Sequence, residues 1–333
     1  VGTYDSDPVH INSLYDSGYF GIHRYNGAQD IFIANYKPNG IINWATHIGF
    51  DTNIGLNSPN VYTDVEGNSY VSLVKVTDFS DNKIYIYDTR DNTTVQKETF
   101  MNNSSSLVVK YDKNGTYQWH IKLLAYFFDN GGTSDTIAVT DSNGNLYVTG
   151  YQQDGNGICV VDSSEHIVTI NYGYYGNFLC KFEKSGKFIW SIANKFNSVL
   201  ANKSSVACDL NGDIIITGIH VYDVDIYELT DINTNTSAFY KTLPVRSGNC
   251  GLYMVKYNSS GKAIWTNGLY MDTSAPIDQV LKPVSVIDGN GNFYLAAEII
   301  GEYVHIYDTR NENTARQIVE IPNASVSNTI LVK

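Results

Sequence analysis

The chain has 333 residues and 43% hydrophobic content, enough for a sizeable core, but its apolar residues come in short runs and none is long enough to cross a membrane as a helix. Acidic residues outnumber basic ones 34 to 22 and Lys and Arg are scattered singly, which argues against a nucleic-acid partner, because phosphate binding needs a basic stripe. The 26 tyrosines, set among abundant Asn, Ser, Thr and Gly with only 17% charged residues, point to strands and turns.

In chain order, residues 3–30 carry an alternating segment, VHINSLYDSGYFGIHRY, ahead of the first copy of a recurring motif, NYKPNGIINW at Asn35 to Trp44. The motif returns as KYDKNGTYQW (Lys110 to Trp119), KFEKSGKFIW (Lys181 to Trp190) and KYNSSGKAIW (Lys256 to Trp265). Trp44, Trp119, Trp190 and Trp265 are thus one position of a repeat, at spacings of 75, 71 and 75 residues. Each copy reads as a β-hairpin whose turn holds a glycine: Gly40, Gly115, Gly186 or Gly261. Four equivalent placements of so large an apolar ring predict four equivalent buried sites against a neighbouring unit.

A second motif precedes three of these copies and recurs once more after the last. It reads NVYTDVEGNSYVSL, AVTDSNGNLYVTG, VACDLNGDIIITG and VSVIDGNGNFYLAA, around Asp64, Asp141, Asp209 and Asp288. An Asp followed by Asn or Glu and then Gly is turn chemistry, the carboxylate accepting nearby backbone N–H groups. Calcium ligation by Asp-x-Asn-Gly is the competing reading, but the fuller loop with its distant Glu is missing, so the turn is preferred.

Each unit therefore holds strands A and B around the Asp turn and C and D around the Gly turn. The inner strand is read as A, with apolar positions around Val139, Val206 and Val286 lining the contact between units. Between B and C lie about 30 to 38 residues, too many for a bare loop. IYDTR occurs in two of these inserts, with Tyr87, Asp88 and Arg90 in one and Tyr307, Asp308 and Arg310 in the other. GICVVDSSEHIVTI, and VDIYELTDINTNTSAFYKTL with Tyr227, fill the same slot elsewhere. The expectation is an extra β-hairpin projecting from every unit on one side and supplying intermolecular contact.

No stretch sustains a helical period. The predicted fold is all-β: a β-propeller, or a segment of one, of repeated four-stranded antiparallel blades with an extra β-hairpin inserted between strands B and C. One domain is expected over residues 1–333, with repeats at 1–50 (partial), 59–125, 133–196, 203–270 and 283–333 (partial). The first unit lacks A and nearly all of B, and the last has A, B and C only. That inventory fits either a segment of a longer propeller or strand exchange with a neighbouring subunit.

These residues carry a resemblance. LVVKYDKNGTYQW together with IAVTDSNGNLYVTGYQ is similar to the tandem β-propeller repeat family, the seven-bladed-propeller-type repeats of bacterial surface and large-DNA-virus proteins, and the resemblance covers nearly the whole chain. It implies a propeller scaffold, often on a secreted or particle surface, with no shared catalytic residues. Departures are the long inserts, Asn35 in place of Lys, and Leu73 and Ala297 in place of the Gly that ends strand B. Quinoprotein dehydrogenases share a related Trp motif, but they need a calcium-bound quinone among specific carboxylates, and this chain has no vicinal cysteines.

Searching for chemistry yields little. Histidines 10, 23, 47, 120, 166, 220 and 305 are isolated, and no HExxH, GxSxG or GxxxxGK[ST] occurs. Cys159, Cys180, Cys208 and Cys250 lack metal-binding spacing and read as core-filling or free thiols. No catalytic, cofactor or metal residues are assigned. The expected function is a non-enzymatic structural or interaction propeller at a cell, filament or virus-particle surface, extracellular or on the particle. Its partners are copies of itself or other surface and coat proteins, with neither nucleic acid nor membrane insertion. The alternative is a glycan- or protein-binding adhesin with Tyr-rich loops, and a quinoprotein-like or glycan-active enzyme comes third.

Overall fold

A computed structural model describes residues 1–4, 9–12, 19–22, 30–51, 59–74, 82–90, 95–101, 105–125, 133–152, 157–170, 175–196, 204–220, 222–244, 250–272, 283–299, 303–307, 315–320 and 328–332. All regular structure among them is β, so no helix there could cross a membrane. In chain order the strands are β1 (Gly2–Tyr4), β2 (Val9–Asn12), β3 (Tyr19–Ile22), β4 (Asp30–Tyr36), β5 (Ile42–Phe50), β6 (Asn60–Thr63), β7 (Ser69–Val74), β8 (Asn82–Ile86), β9 (Lys97–Met101), β10 (Ser106–Tyr111), β11 (Tyr117–Ala125), β12 (Thr133–Thr140), β13 (Leu146–Gln152) and β14 (Ile158–Val161). The second half continues with β15 (Ile167–Ile170), β16 (Gly176–Phe182), β17 (Phe188–Phe196), β18 (Ser204–Cys208), β19 (Ile214–His220), β20 (Val224–Asp231), β21 (Thr236–Leu243), β22 (Cys250–Tyr257), β23 (Ala263–Asp272), β24 (Val284–Ile287), β25 (Phe293–Ile299), β26 (Tyr303–Tyr307), β27 (Ala315–Glu320) and β28 (Asn328–Val332).

The predicted A–B–C–D units are β6-β7-β10-β11, β12-β13-β16-β17 and β18-β19-β22-β23, each hydrogen-bonded in that order, which is the content of β-propeller blades. The first sheet contributes β1, β4 and β5 in the B, C and D places, and β24-β25-β28 occupy A, B and C. The chain divides into two compact units, residues 1–138 with 158–169, and residues 139–157 with 170–333.

The inserted segments fold as hairpins, β8–β9, β14–β15, β20–β21 and β26–β27, but they do not project from their own sheets as expected. Each pairs with strand D of the preceding unit instead: β8 with β5 (Phe50↔Ile84), β14 with β11 (Leu124↔Cys159), β20 with β17 (Phe196↔Val224) and β26 with β23 (Leu269↔Ile306). The physical reason is the open edge that strand D otherwise presents; a hairpin supplied by the next unit satisfies its backbone groups and adds two strands, widening the first sheet to five and the other three to six. This exchange also puts residues 158–169 in the first compact unit.

Sequence dictates the local geometry closely. In all four C–D hairpins the turn glycine donates its N–H to the residue three back, as Gly115 does to the Asp112 carbonyl at 2.9 Å, and takes positive φ, 79° at Gly115. A one-residue register shift follows strand C each time, at Asn35/Tyr36, Lys110/Tyr111, Lys181/Phe182 and Lys256/Tyr257. The Trp consequently always stands opposite the first residue of its motif: Asn35↔Trp44, Lys110↔Trp119, Lys181↔Trp190 and Lys256↔Trp265.

The end of strand B shows why its glycine can vary. Gly2 pairs with Phe32, Gly150 with Phe178 and Gly218 with Tyr253, a minimal side chain opposite a ring, whereas Leu73 pairs with Leu107 and Ala297 with Ile330. A Cβ on Gly218 would meet Tyr253 Cε1 at 2.4 Å, and one on Gly2 would meet Phe32 Cε1 at 2.7 Å. What the repeat requires is a pair of side chains that fit opposite each other, a small one against a ring or two of middle size, rather than the glycine itself.

In the first unit the core gathers Ile31, Ile33, Trp44, Ile48, Phe50, Leu73, Ile84, Ile86, Leu107 and Tyr111. In the second, Phe178, Phe182, Trp190, Tyr253 and Tyr257 are fully buried, each such ring contributing roughly 1.5–3 kcal/mol of burial. Val139 and Val206 are buried as expected of strand A, but Val286 is 56% exposed, because that face of β24 lies open among the described residues.

Candidate interaction surface

The repeated aspartates are committed to their own turns. Asp64 Oδ1 accepts the N–H groups of Glu66 (3.0 Å) and Asn68 (2.9 Å), while Oδ2 accepts the Asn68 amide (2.8 Å) and the Tyr70 hydroxyl (3.1 Å). Asp141 does the same with Asn143, Asn145 and Tyr147, and Asp288 with Asn290, Asn292 and Tyr294. At Asp288 the Asn292 side-chain amide, helped by the Asn292 and Asn290 N–H groups, holds the carboxyl down at about 2. Burial first, and then the Asp64 charge, push the Tyr70 phenol well above its ordinary range.

The Asp209 turn lacks the Asn and the Tyr; Asp213 and Ile215 stand in their places. Here Lys256 Nζ supplies the missing partner, 2.9 Å from Asp213 and 3.6 Å from Asp209. Its equivalents Lys110 and Lys181 lie instead over the tyrosine rings of their own turns, each 5.1 Å from the centroid of Tyr70 or Tyr147. Among the described residues no group of three or more His, Cys, Asp and Glu is placed to hold a metal ion.

The tryptophans are equivalent by register and unequal in burial. Trp44 and Trp190 are 3% and 0% exposed, whereas Trp119 and Trp265 are half-buried, against the expectation of four alike. What buries the first two is the C–D turn of the following sheet. Trp44 Nε1 donates to the Lys113 carbonyl at 3.0 Å, and its ring lies where a Cβ on Gly115 would meet Cδ2 at 2.6 Å. Trp190 lies in the same way against Gly261, whose added Cβ would be 3.6 Å from Cε2.

The hairpin residues singled out from IYDTR serve this same joint rather than solvent. Tyr87 is buried and stacks on His47 with centroids 4.0 Å apart, and Asp88 is fully buried. The Asp88 carboxylate accepts from the Tyr117 N–H at 3.0 Å and from Arg90 Nε and Nη2 at 2.9 and 2.6 Å, tying the hairpin to the next C–D turn; Arg90 remains exposed. Beside it the Thr89 N–H donates to the Gly115 carbonyl at 3.2 Å. In the second unit Glu228 does the work of Asp88, accepting from the Ala263 N–H at 3.1 Å, and the Leu229 N–H donates to the Gly261 carbonyl at 2.9 Å. Sequence reading missed Glu228, although aligning IYELT with IYDTR places an acid at that position. The side chain of Tyr307, together with Asp308 and Arg310, lies outside the described residues.

Another polar cluster ties β9 to β11. His120 is buried, with Nδ1 2.8 Å from the Tyr117 hydroxyl and Nε2 3.2 Å from the Thr99 hydroxyl, while Lys97 pairs with Glu165 at 3.1 Å. Burial, then Lys122 and Lys97, push the His120 imidazole down to about 4. His220 is pushed down to about 4 as well, chiefly by burial.

In the second unit it is the outer strand of the β20–β21 hairpin that faces solvent. Half-buried Tyr227 on β20 meets Phe239 on β21 edge-on at 6.1 Å, and Phe239 is 56% and Tyr240 39% exposed. Sequence reading passed over Phe239 and Tyr240, whose signal was an aromatic pair in a strand otherwise rich in Thr and Ser.

No protein-family model matches the chain. An uncharacterised WD-repeat-containing protein of Acanthamoeba polyphaga mimivirus is 28% identical over 153 residues, 44% of this chain and 10% of that protein, so the chain spans about a tenth of the relative's length. Among solved structures, the rhamnogalacturonan lyase YesW overlaps 82% of this chain and 42% of its own, at 14% identity and a TM-score of 0.36. The chain is of the repeat β-propeller type. Its four-stranded units and the motif spacing place it there.

Proposed function

We propose that this chain is a non-enzymatic interaction module, a tandem-repeat β-propeller related to those of bacterial surface and large-DNA-virus proteins, which binds partner proteins or other copies of itself. The observation that carries this reading is how the repeated polar groups are used. Asp64, Asp141 and Asp288 are occupied by turn N–H groups, amides and phenols, and Asp88 and Glu228 by the joints between sheets, so the repeat spends its carboxylates on architecture. Exposed aromatic groups stand on an outer hairpin, the kind of surface that protein partners use.

A place at a cell, filament or virus-particle surface extends this reading through the repeat family it resembles and the mimiviral relative. A second reading, a glycan-binding adhesin, draws on the exposed tyrosines 36, 175, 222 and 240. Sedimentation of the purified chain across a concentration series, cross-linking to partner proteins and a glycan array test the two together. Self-association or cross-links to a defined partner support the interaction module. Glycan binding without either moves the assignment to the adhesin, and turnover of a polysaccharide or an alcohol would overturn the non-enzymatic reading.

A further inference from the structure

Resting on the interaction reading, we propose that the outer edge of β21 is a docking strand for a basic, extended polypeptide segment, which adds to the sheet as a seventh strand. β21 ends the sheet order β12-β13-β16-β17-β20-β21, so one side of it has no strand partner among the described residues. At Thr236–Leu243 it is eight residues long, twice the length of β15 at the edge of the second sheet. An unpaired edge of that length is a template for another strand.

Edges that proteins keep closed carry charge, and β9 shows this within the same chain. There Lys83 pairs with Glu98 at 2.8 Å and Lys97 with Glu165 at 3.1 Å, setting ion pairs on and beside the strand. β21 carries one charged residue, Lys241, and at its centre Ala238, Phe239 and Tyr240 are all exposed. Phe239 (56%) and Tyr240 (39%) are both exposed, Tyr240 being the extra residue of a bulge at which Ile226 pairs with Lys241 and Tyr227 with Phe239. Ile264, on the neighbouring β23, is 46% exposed as well.

Charge decides which occupant fits. The β20–β21 segment carries Asp223, Asp225, Glu228 and Asp231 against Lys241, and with Glu228 paired to Lys262 at 3.4 Å it stays net acidic, as does the whole chain at −12. A second copy of so acidic a chain is repelled, whereas a Lys- or Arg-bearing strand gains from the field and from the exposed aromatic faces. Main-chain hydrogen bonds along β21 would supply affinity, and alternate cationic side chains on Phe239 and Tyr240 would supply selectivity.

The test uses a fluorescent peptide of about ten residues alternating Lys with Thr and Val. One control peptide has Glu for Lys, and another carries the same lysines with prolines that block strand pairing. Fluorescence anisotropy against the full chain reads binding, and hydrogen exchange reads protection at residues 236–243. The expected result is saturable binding of the basic strand peptide alone, protection confined to β21 and its neighbours, and a loss of about tenfold in Phe239→Lys/Tyr240→Lys, which guards the edge as β9 is guarded. Should that variant misfold by circular dichroism, Tyr240→Thr replaces it with the same readouts. Absent binding, equal binding of the proline or Glu peptide, unchanged affinity in the variant, or self-association through β21 would each overturn the proposal. Cross-links from a partner protein to other strands, with no peptide binding at β21, would leave the interaction module standing and remove this edge from it.

Discussion

The joint at Trp44 in the first compact unit and the joint at Trp190 in the second solve one packing problem with different donors. Both rings are buried against the C–D turn of the following sheet, at Gly115 and Gly261. In the first, Asn35 is too short to reach that turn, and the indole N–H donates to the Lys113 carbonyl at 3.0 Å. In the second, Lys181 Nζ reaches the equivalent Ser259 carbonyl at 2.7 Å, and Trp190 Nε1, though buried, has no hydrogen-bond partner among the described residues. The same carbonyl is satisfied either way. A departure in the repeat therefore reassigns a donor and keeps the bond, and the cost of the second arrangement is one orphaned indole N–H.

Removing the rings tests the shared part of that comparison with the largest effect. Trp190→Ala is expected to cost about 3–5 kcal/mol. Trp44→Ala should cost at least as much, because the Lys113 carbonyl also loses its donor, whereas Trp119→Ala and Trp265→Ala should cost less in keeping with their half-burial. Urea denaturation of the four variants gives the ranking; equal losses at all four sites would show that exposure does not set the cost.

Each unit also holds a buried histidine whose imidazole is pushed well below its ordinary value, and acid should strain both. His120 and His220 have folded values of about 4, below the unfolded 6.5, so the unfolded chain binds the extra proton between those limits. Stability is thus complete above about pH 6.5 and falls as pH drops toward 4, by roughly 2–3 kcal/mol per histidine. His120→Gln should flatten part of that slope in a stability–pH profile, and a profile that keeps its full slope would remove His120 from the account.

The strand-B pairs sharpen the contrast through volume. Gly218→Ala in the second unit is expected to cost about 1–3 kcal/mol by forcing Tyr253 aside. Gly218→Leu together with Tyr253→Leu, which copies the Leu73–Leu107 pair of the first unit, should recover most of the loss of Gly218→Leu alone. A strictly additive double variant would mean that these pairs do not exchange volume.

The smallest effect bears directly on the two joints. Lys181→Asn, which copies Asn35, frees the Ser259 carbonyl for Trp190 Nε1 and should change stability by less than about 1 kcal/mol. Its readout is the indole N–H resonance of Trp190, which should shift toward that of Trp44. An unmoved resonance would mean that the lysine alone does not hold the indole away from the carbonyl.

Much of this was legible in the repeat. The hairpin turns, the Asp turns and the cross-strand place of each Trp are local: they follow from residues a few positions apart, through bonds such as those of Asp64 with Asn68 and Tyr70. The hairpins themselves were legible as well, but the sheet each would join was not, because the pairing of Ile84 with Phe50 is made across units by an open edge no local pattern announces. IYDTR was read as surface for the same reason. Its Asp88 is buried only because the Tyr117 N–H and the Arg90 side chain converge on it.

From residue order alone come the all-β class, the period, the turn chemistry and the equivalence of the four tryptophans, since each rests on short-range rules of backbone geometry and hydrophobic alternation. Only tertiary structure decided which tryptophans are buried, which carbonyl each joint satisfies, and that an outer strand such as β21 presents its aromatic groups to solvent. Those outcomes depend on which surfaces meet, and a residue's burial is a property of its neighbours in space, set here by turns and hairpins that belong to other repeats.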